Sequence, residues 1–304
     1  MTGRAAAGAR AGSQEVRRPA PAATRQPALG PEAIGRVALA ALHEELELHP
    51  KPGLVSPADR GAHLDMDAGT FRRSIAALDG FFADAARAGA CGAPFGSLRA
   101  LGIAAEERML AATGGINTHR GAIFGLGLIS AAAGRLSSEG RSLAGRALGL
   151  EVSARWGVAL LQELPTNPAS HGSTVARRHG IGGAREEAAS GFAHLFDVAL
   201  PALEAGLRAG AGPRGAAIHC LLSLIATLPD TNLLWRGGTG GLAFAQRSAR
   251  RWLDRGGIEG RGWEDELSRL HRQFTFRKLS PGGSADLLAA ALLVHDLRGG
   301  AAGP

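Results

Sequence analysis

The chain has two cysteines and no tyrosine among its 304 residues, and aromatic residues make up only 5 % of it. Two thiols, Cys91 and Cys220, supply neither a disulfide framework nor a cysteine-rich zinc site, so both are expected to be inert core residues. So few aromatics leave no stacking platform for single-stranded nucleic acid. No apolar run reaches the roughly 18 residues that argue for a membrane span. The arginine-dotted start lacks the apolar region, about 7–15 residues long, of a secretory signal. These absences give the expectation of a cytoplasmic protein with neither a membrane nor a nucleic-acid partner. No GxxxxGK[ST] loop occurs, and no glycine group follows a convincing strand, so kinase-type phosphate loops and dinucleotide folds lack support.

What the chain does have is 45 % hydrophobic content, a formal charge of +7 and a pI near 10.9. The hydrophobic content can bury a substantial core. The charge is arginine scattered through Ala/Gly-rich sequence, which suits phosphates on a small ligand better than a nucleic-acid surface. Residues 1–30, rich in Ala, Gly, Arg and Pro, read as a disordered tail and 299–304 as a flexible C-terminus. Between them, 31–298 reads as one all-α catalytic domain. Ile34, Val37, Ala38, Ala41, Leu42 and Leu46 recur at helical spacing up to Pro50 and Pro52, and Phe71, Ile75, Leu78 and Phe82 repeat from an expected N-cap at Thr70. Further helices are expected near 98–113, 121–134, 140–163, 185–210, 214–228, 239–256, 262–276 and 284–298. Gly134, Gly140 and Gly256 to Gly257 read as helix C-caps, whereas Gly114 to Gly115, Gly237 to Gly241 and Gly282 to Gly283 precede expected helices, where backbone can approach a ligand.

Four polar loops punctuate this helical sequence: 49–67, 114–127, 228–241 and 279–288. They suggest one shared site. The second, GGINTHRGAIFGLG, crowds Asn117, Thr118, His119 and Arg120 at a helix start, an end that attracts phosphate. Lys51, His119, Arg120, Arg185 and Arg236 are the candidate anion contacts. Glu45, Asp65, Glu106, Glu187, Asp230 and Asp286 are the candidate acids, and hard oxygen ligands of this kind suit Mg²⁺. Each has a plainer reading beside it. Asp286 after Ser284 could serve a helix start, Asp230 with Thr231 and Asn232 could form an Asx turn, His63 could be a core histidine, Glu106 could lie on a solvated face, and Arg185 with Glu187 could be a surface ion pair.

Taken together, PKPGLVSPADRGAHLDM, LGIAAEERMLAATGGINTHRGAIFGLGL, GGAREEAASGF, DTNLLWRGG and LSPGGSADLLA, in that order, resemble the triphosphoribosyl-dephospho-CoA synthase family over roughly 31–298. The wording of LELHPKPGLVSP and ATGGINTHRGAIFGLG is similar to the branch serving malonate decarboxylase more than that serving citrate lyase, in which lysine stands where this chain has Arg120. The resemblance implies attack of the 2′-hydroxyl of 3′-dephospho-CoA on the anomeric carbon of ATP, release of adenine, and a product passed to a separate acyl-carrier-protein transferase. This is glycosyl transfer, in which the triphosphate is a handle.

For that chemistry the expected acidic set is Asp65, Glu106, Glu187 and Asp230, with Asp230 and Glu187 holding Mg²⁺. Lys51, Arg120 and Arg236 are expected to hold phosphates. Asn117, His119 and Asn232 are expected to orient ribose or base, and His63, Arg185, Gly237, Gly238, Ser284 and Asp286 to complete the binding site. Two other classes stay open at this point: an all-α Mg²⁺-dependent hydrolase of ADP-ribosyl bonds, and a non-catalytic nucleotide- or RNA-binding protein.

Overall fold

The computed structural model describes residues 1–3, 29–162, 174–175, 178 and 180–299. The expected tail falls almost wholly at 4–28, outside the described residues, as do 300–304. Among the described residues there are helices and no strands. In chain order they are α1 (Pro31–Glu47), α2 (Ala68–Ala77), α3 (Phe81–Ala90), α4 (Phe95–Thr113), α5 (Arg120–Ser138), α6 (Ala147–Gln162), α7 (Ala184–Ala189), α8 (Leu200–Arg208), α9 (Gly212–Thr227), α10 (Thr231–Asp254), α11 (Trp263–Phe276) and α12 (Gly282–Gly299). A π-turn at Leu195–Ala199 leads into α8. The fold is all-α, as the periodicity implies.

Two helices that are apolar nearly all round occupy the middle. α5 buries Ala122, Ile123, Leu126 and then almost every residue to Ser137. α12 buries Leu287 through Val294 without interruption. Each leucine or isoleucine so buried contributes about 1.5–3 kcal/mol. α5 has the length and hydropathy to cross a membrane, yet 72 % of that stretch is buried within the protein. α3 lies along α5 at backbone contact. An added Cβ at Gly89 would run into the carbonyl of Ala131, and one at Gly134 into that of Ala86. Gly134 is therefore a packing residue inside α5 and not the C-cap its position after an apolar run suggests. That role falls to Gly140, at φ 64°.

Other boundaries differ for local reasons. The helix expected from Thr70 begins at the cap Asp67, whose Oδ1 accepts the Thr70 N–H at 2.9 Å. It ends before Gly80, at φ 79°, which separates α2 from α3. The single helix expected over 185–210 is broken at Gly191 and Phe192, both at positive φ. α6 starts at Ala147, after a turn at 145–146. α10 starts eight residues before the expected 239, with Gly238 (φ 58°, ψ −163°) interrupting it. Gly238 is non-helical and divides α10 in two, so Gly237 and Gly238 close a first stretch from Thr231 and lead into a second, the helix expected from 239. Gly114, at φ 69°, closes α4. Cys220 is buried, whereas Cys91 is exposed and no core residue.

Candidate active site

The N-terminal ends of α5, α10 and α12 converge at the base of one cavity of about 2030 Å³. Pockets for a single small ligand run to about 300–1,000 Å³, so this one has room for two nucleotide-sized molecules. All four polar loops reach it.

Helix N-termini expose backbone N–H groups that attract anions. Here two of the protein's own carboxyls take those groups. The Asp230 side chain is 1 % exposed. Its Oδ1 accepts the N–H groups of Asn232 at 2.8 Å and Leu233 at 3.3 Å, capping α10. Its Oδ2 accepts the N–H of Ser284 at 2.8 Å and the Ser284 hydroxyl at 3.0 Å, capping α12. Asp286, one turn into α12, lies against the first turn of α5, where the Ala122 N–H bonds its carboxyl. A Cβ at Gly121 would fall on that carboxyl, so glycine there is what lets the two central helices close. The phosphate seat expected at the start of α5 is therefore occupied by Asp286. The Arg120 N–H is likewise taken, by Asn117 Oδ1 at 3.2 Å.

Burial pushes the pKa of Asp230 up, against the four bonds that lower it. Asp286 is raised well above the usual carboxylate range, first by burial, then by the nearby charges of Glu45 and Asp230. Its residual exposure opens into the cavity. Glu45 itself is spent: the Lys51 ammonium donates to its Oε1 at 2.8 Å and its carbonyl at 2.6 Å. Lys51 is 1 % exposed and does not line the cavity. It is a core ion-pair residue and not the phosphate contact its loop suggests.

His119 stands at the cavity wall, 4 % exposed. Thr118 donates to Ser74 Oγ at 2.7 Å, and Ser74 pairs with His119 Nδ1 at 2.6 Å. The other ring nitrogen, Nε2, is buried with no hydrogen-bond partner among the described residues. Burial, then Lys51 and His43, holds this histidine down at about 3, so it is neutral. Opposite, Arg236 donates to the carbonyls of Ala62 at 3.2 Å and Lys278 at 3.4 Å and to His63 Nδ1 at 3.1 Å, while His63 Nε2 pairs with Ser280 Oγ at 2.9 Å. These contacts tie the 49–67 loop to the 279–288 loop. Burial and the Arg236 charge lower His63 to about 4.

The remaining acids have partners too. Glu106 is ion-paired to Arg120 across the wall, with Nε donating at 2.6 Å. Glu187 accepts the His194 N–H at 2.6 Å and pairs with His194 Nδ1 at 2.8 Å, which raises the histidine's pKa. Asp65 is 61 % exposed near the mouth. Arg185 and Asn232 line the cavity; Ser284, Gly237 and Gly238 do not. Gly282 is small because Asn232 packs on it, and Gly283 because Asp230 does.

The expected Mg²⁺ pair fails a test of fit. All the hydrogen-bonding directions of Asp230 point to protein donors, and both oxygens of Glu187 are engaged by His194. Among the described residues no cluster of three or more His, Cys, Asp or Glu could hold a metal ion. Asp230 is equally unsuited to act as a catalytic base. Replacing it should cost stability, contrary to a purely chemical role. The sequence reading also missed Arg99, Trp235 and Lys278, which line the cavity. Lys278 carries a signal in hindsight: it and Lys51 are the only lysines in an arginine-rich chain, and it directly precedes the LSPGGSADLL loop.

The family model for ATP:dephospho-CoA triphosphoribosyl transferase matches residues 31–303. The chain belongs to this family. A probable 2-(5''-triphosphoribosyl)-3'-dephosphocoenzyme-A synthase of Acinetobacter calcoaceticus is 42 % identical over 267 residues, covering 86 % of this chain and 91 % of that protein. The 2-(5''-triphosphoribosyl)-3'-dephosphocoenzyme-A synthase of Pectobacterium atrosepticum is 42 % identical over 263 residues, 84 % of this chain and 86 % of its own. A probable synthase of Vibrio cholerae serotype O1 is 40 % identical over 277 residues, 88 % of each chain. No solved structure matches. For a triphosphoribosyl transferase, a cavity lined by the buried acids Glu45 and Asp230 and also by exposed Arg236 and Lys278, with Arg99 and Arg185 half-buried, is the feature that needs a chemical account.

Proposed function

We propose that this protein transfers the triphosphoribosyl group of ATP to the 2′-hydroxyl of 3′-dephospho-CoA and releases adenine. The observation that carries the reading, beside family membership, is the cavity of about 2030 Å³, large enough to seat donor and acceptor together and lined by cations. The anomeric carbon gains oxocarbenium character as its bond to adenine breaks, and a positioned acid and acceptor lower that barrier. The lining arginines and Lys278 grip the triphosphate, whose anhydride bonds stay intact, and Asn117 and Asn232 offer amides to a ribose. Mg²⁺ comes in this reading with the triphosphate and supplies charge neutralisation there.

The reading extends to the product's fate. The similarity of the first two motifs to the malonate decarboxylase branch supports a prosthetic-group precursor for that enzyme's acyl carrier protein, attached by a separate transferase in the cytoplasm, where ATP is plentiful. The test is incubation with ATP, Mg²⁺ and 3′-dephospho-CoA, with free adenine and adduct mass followed together. Equal amounts of adenine and of a triphosphoribosyl adduct are expected. Adenine without adduct would mean hydrolysis, and neither would mean that the cavity binds nucleotides without turning them over.

A further inference from the structure

We propose that Asp286 is the general acid of this reaction, donating its carboxyl proton to a ring nitrogen of the departing adenine. The inference rests on the transferase reading above and deepens it.

Three observations converge on this residue. Asp286 faces the cavity from α12, fixed between the Gly121 backbone of α5 and its own helix. Of the acids at the deep end it is the one without a committed side-chain partner among the described residues. Glu45, from α1, is neutralised by Lys51, and Asp230, at the start of α10, is bonded by Ser284, Asn232 and Leu233. The surroundings also decide which part of ATP comes here. Lys51 is spent on Glu45, and Asp230 and Asp286 already bond N–H groups at the helix starts, so this end suits an uncharged, planar group better than a phosphate chain, and Ala122 and Ile123 of α5 and Leu287, Ala289 and Ala290 of α12 offer it apolar walls. Of the lining cations, Arg236 and Lys278 are exposed to solvent, and Arg120, at the start of α5, is held by Glu106. The nucleotide therefore enters base first, with its triphosphate outward.

The environment supplies the proton as well. Burial, Glu45 and Asp230 hold the Asp286 carboxyl protonated well above the usual range, and the neighbouring histidine, His119, is neutral and does not compete as an acid. In the step itself, the bond from C1′ to the adenine nitrogen breaks and its electron pair leaves with the base. The Asp286 proton passes to adenine, the 2′-oxygen of dephospho-CoA bonds to C1′, and the hydroxyl proton goes to water, from which Asp286 is reprotonated.

The test compares wild type and Asp286→Asn on ATP and on 7-methyl-ATP, whose cationic base departs neutral without a proton, each with 3′-dephospho-CoA across pH. With ATP, kcat of the variant is expected to fall by about 10²–10⁴-fold, the usual worth of a general acid, with KM little changed. With 7-methyl-ATP the two proteins are expected to differ by no more than about threefold, because the acid step is bypassed. Wild type should lose activity toward alkaline pH with ATP and not with the methylated nucleotide, a readout independent of whether the variant folds. Equal losses on both nucleotides, or an alkaline limb shared by both, would overturn the assignment. Wild type that releases no adenine at all would instead sink the transferase reading, and Asp286 with it.

Discussion

The carboxylate of Asp230 holds Ser284 through both its backbone N–H and its hydroxyl, at 2.8 and 3.0 Å, while its other oxygen caps α10. One buried side chain thus fixes the starts of two helices that frame the cavity. Asp230→Ala removes both caps and leaves their donors without partners. The expected loss is about 2–4 kcal/mol, seen as a lower midpoint in urea unfolding. Ser284→Ala, which removes only the hydroxyl, should cost about 1 kcal/mol. An Asp230→Ala protein as stable as wild type would show that the double cap has no energetic weight.

Lys51 and Glu45 form an ion pair inside the core, so removing one partner strands the other. Lys51→Met is expected to destabilise by about 3–5 kcal/mol, and the double change with Glu45→Leu to recover most of that. A double-mutant cycle measures the coupling. Because Lys51 lies outside the cavity, KM for ATP in the folded fraction should stay put. A raised KM at unchanged stability would return Lys51 to the phosphate site.

Asp286 should leave a pH signature in stability as well as in rate. Its folded pKa lies above the unfolded value of about 3.9. The native state therefore holds a proton that the unfolded chain gives up, and this contribution is whole below about pH 4 and is lost as pH rises through the folded value. Asp286→Asn has no proton to lose. Its Tm relative to wild type is expected to climb from pH 4 toward neutrality, in a protein that has become slow on ATP. A Tm difference flat with pH would mean that the carboxyl is not held protonated by the fold.

Much of this architecture can be read in the residues. The stripe of Ile34, Ala38, Ala41, Leu42 and Leu46 is buried as its spacing implies, with Val37 half-buried at its edge, and the four polar loops meet at one cavity because each follows or opens a helix of the same core. What periodicity could not carry was partnership. Nothing in HPKPG says that Lys51 turns back to Glu45, six residues away, and nothing in PDTN says that Asp230 also caps a helix 54 residues on. Glycine was ambiguous for the same reason. Gly134 and Gly121 are small because another helix lies against them, a long-range fact that local sequence cannot express. Asp286 read as a residue serving a helix start, and it does lie at one; what distinguishes it is the neighbouring helix it faces.

The claim that the ribose–base bond breaks while the phosphoanhydrides stay whole is tested most directly with ATP labelled on its γ-phosphate. In the presence of 3′-dephospho-CoA the label is expected to move into a CoA-derived product, in amounts equal to the adenine released. Label appearing as free phosphate or pyrophosphate, with none in the CoA-derived fraction, would contradict triphosphoribosyl transfer and the account of the cavity built on it.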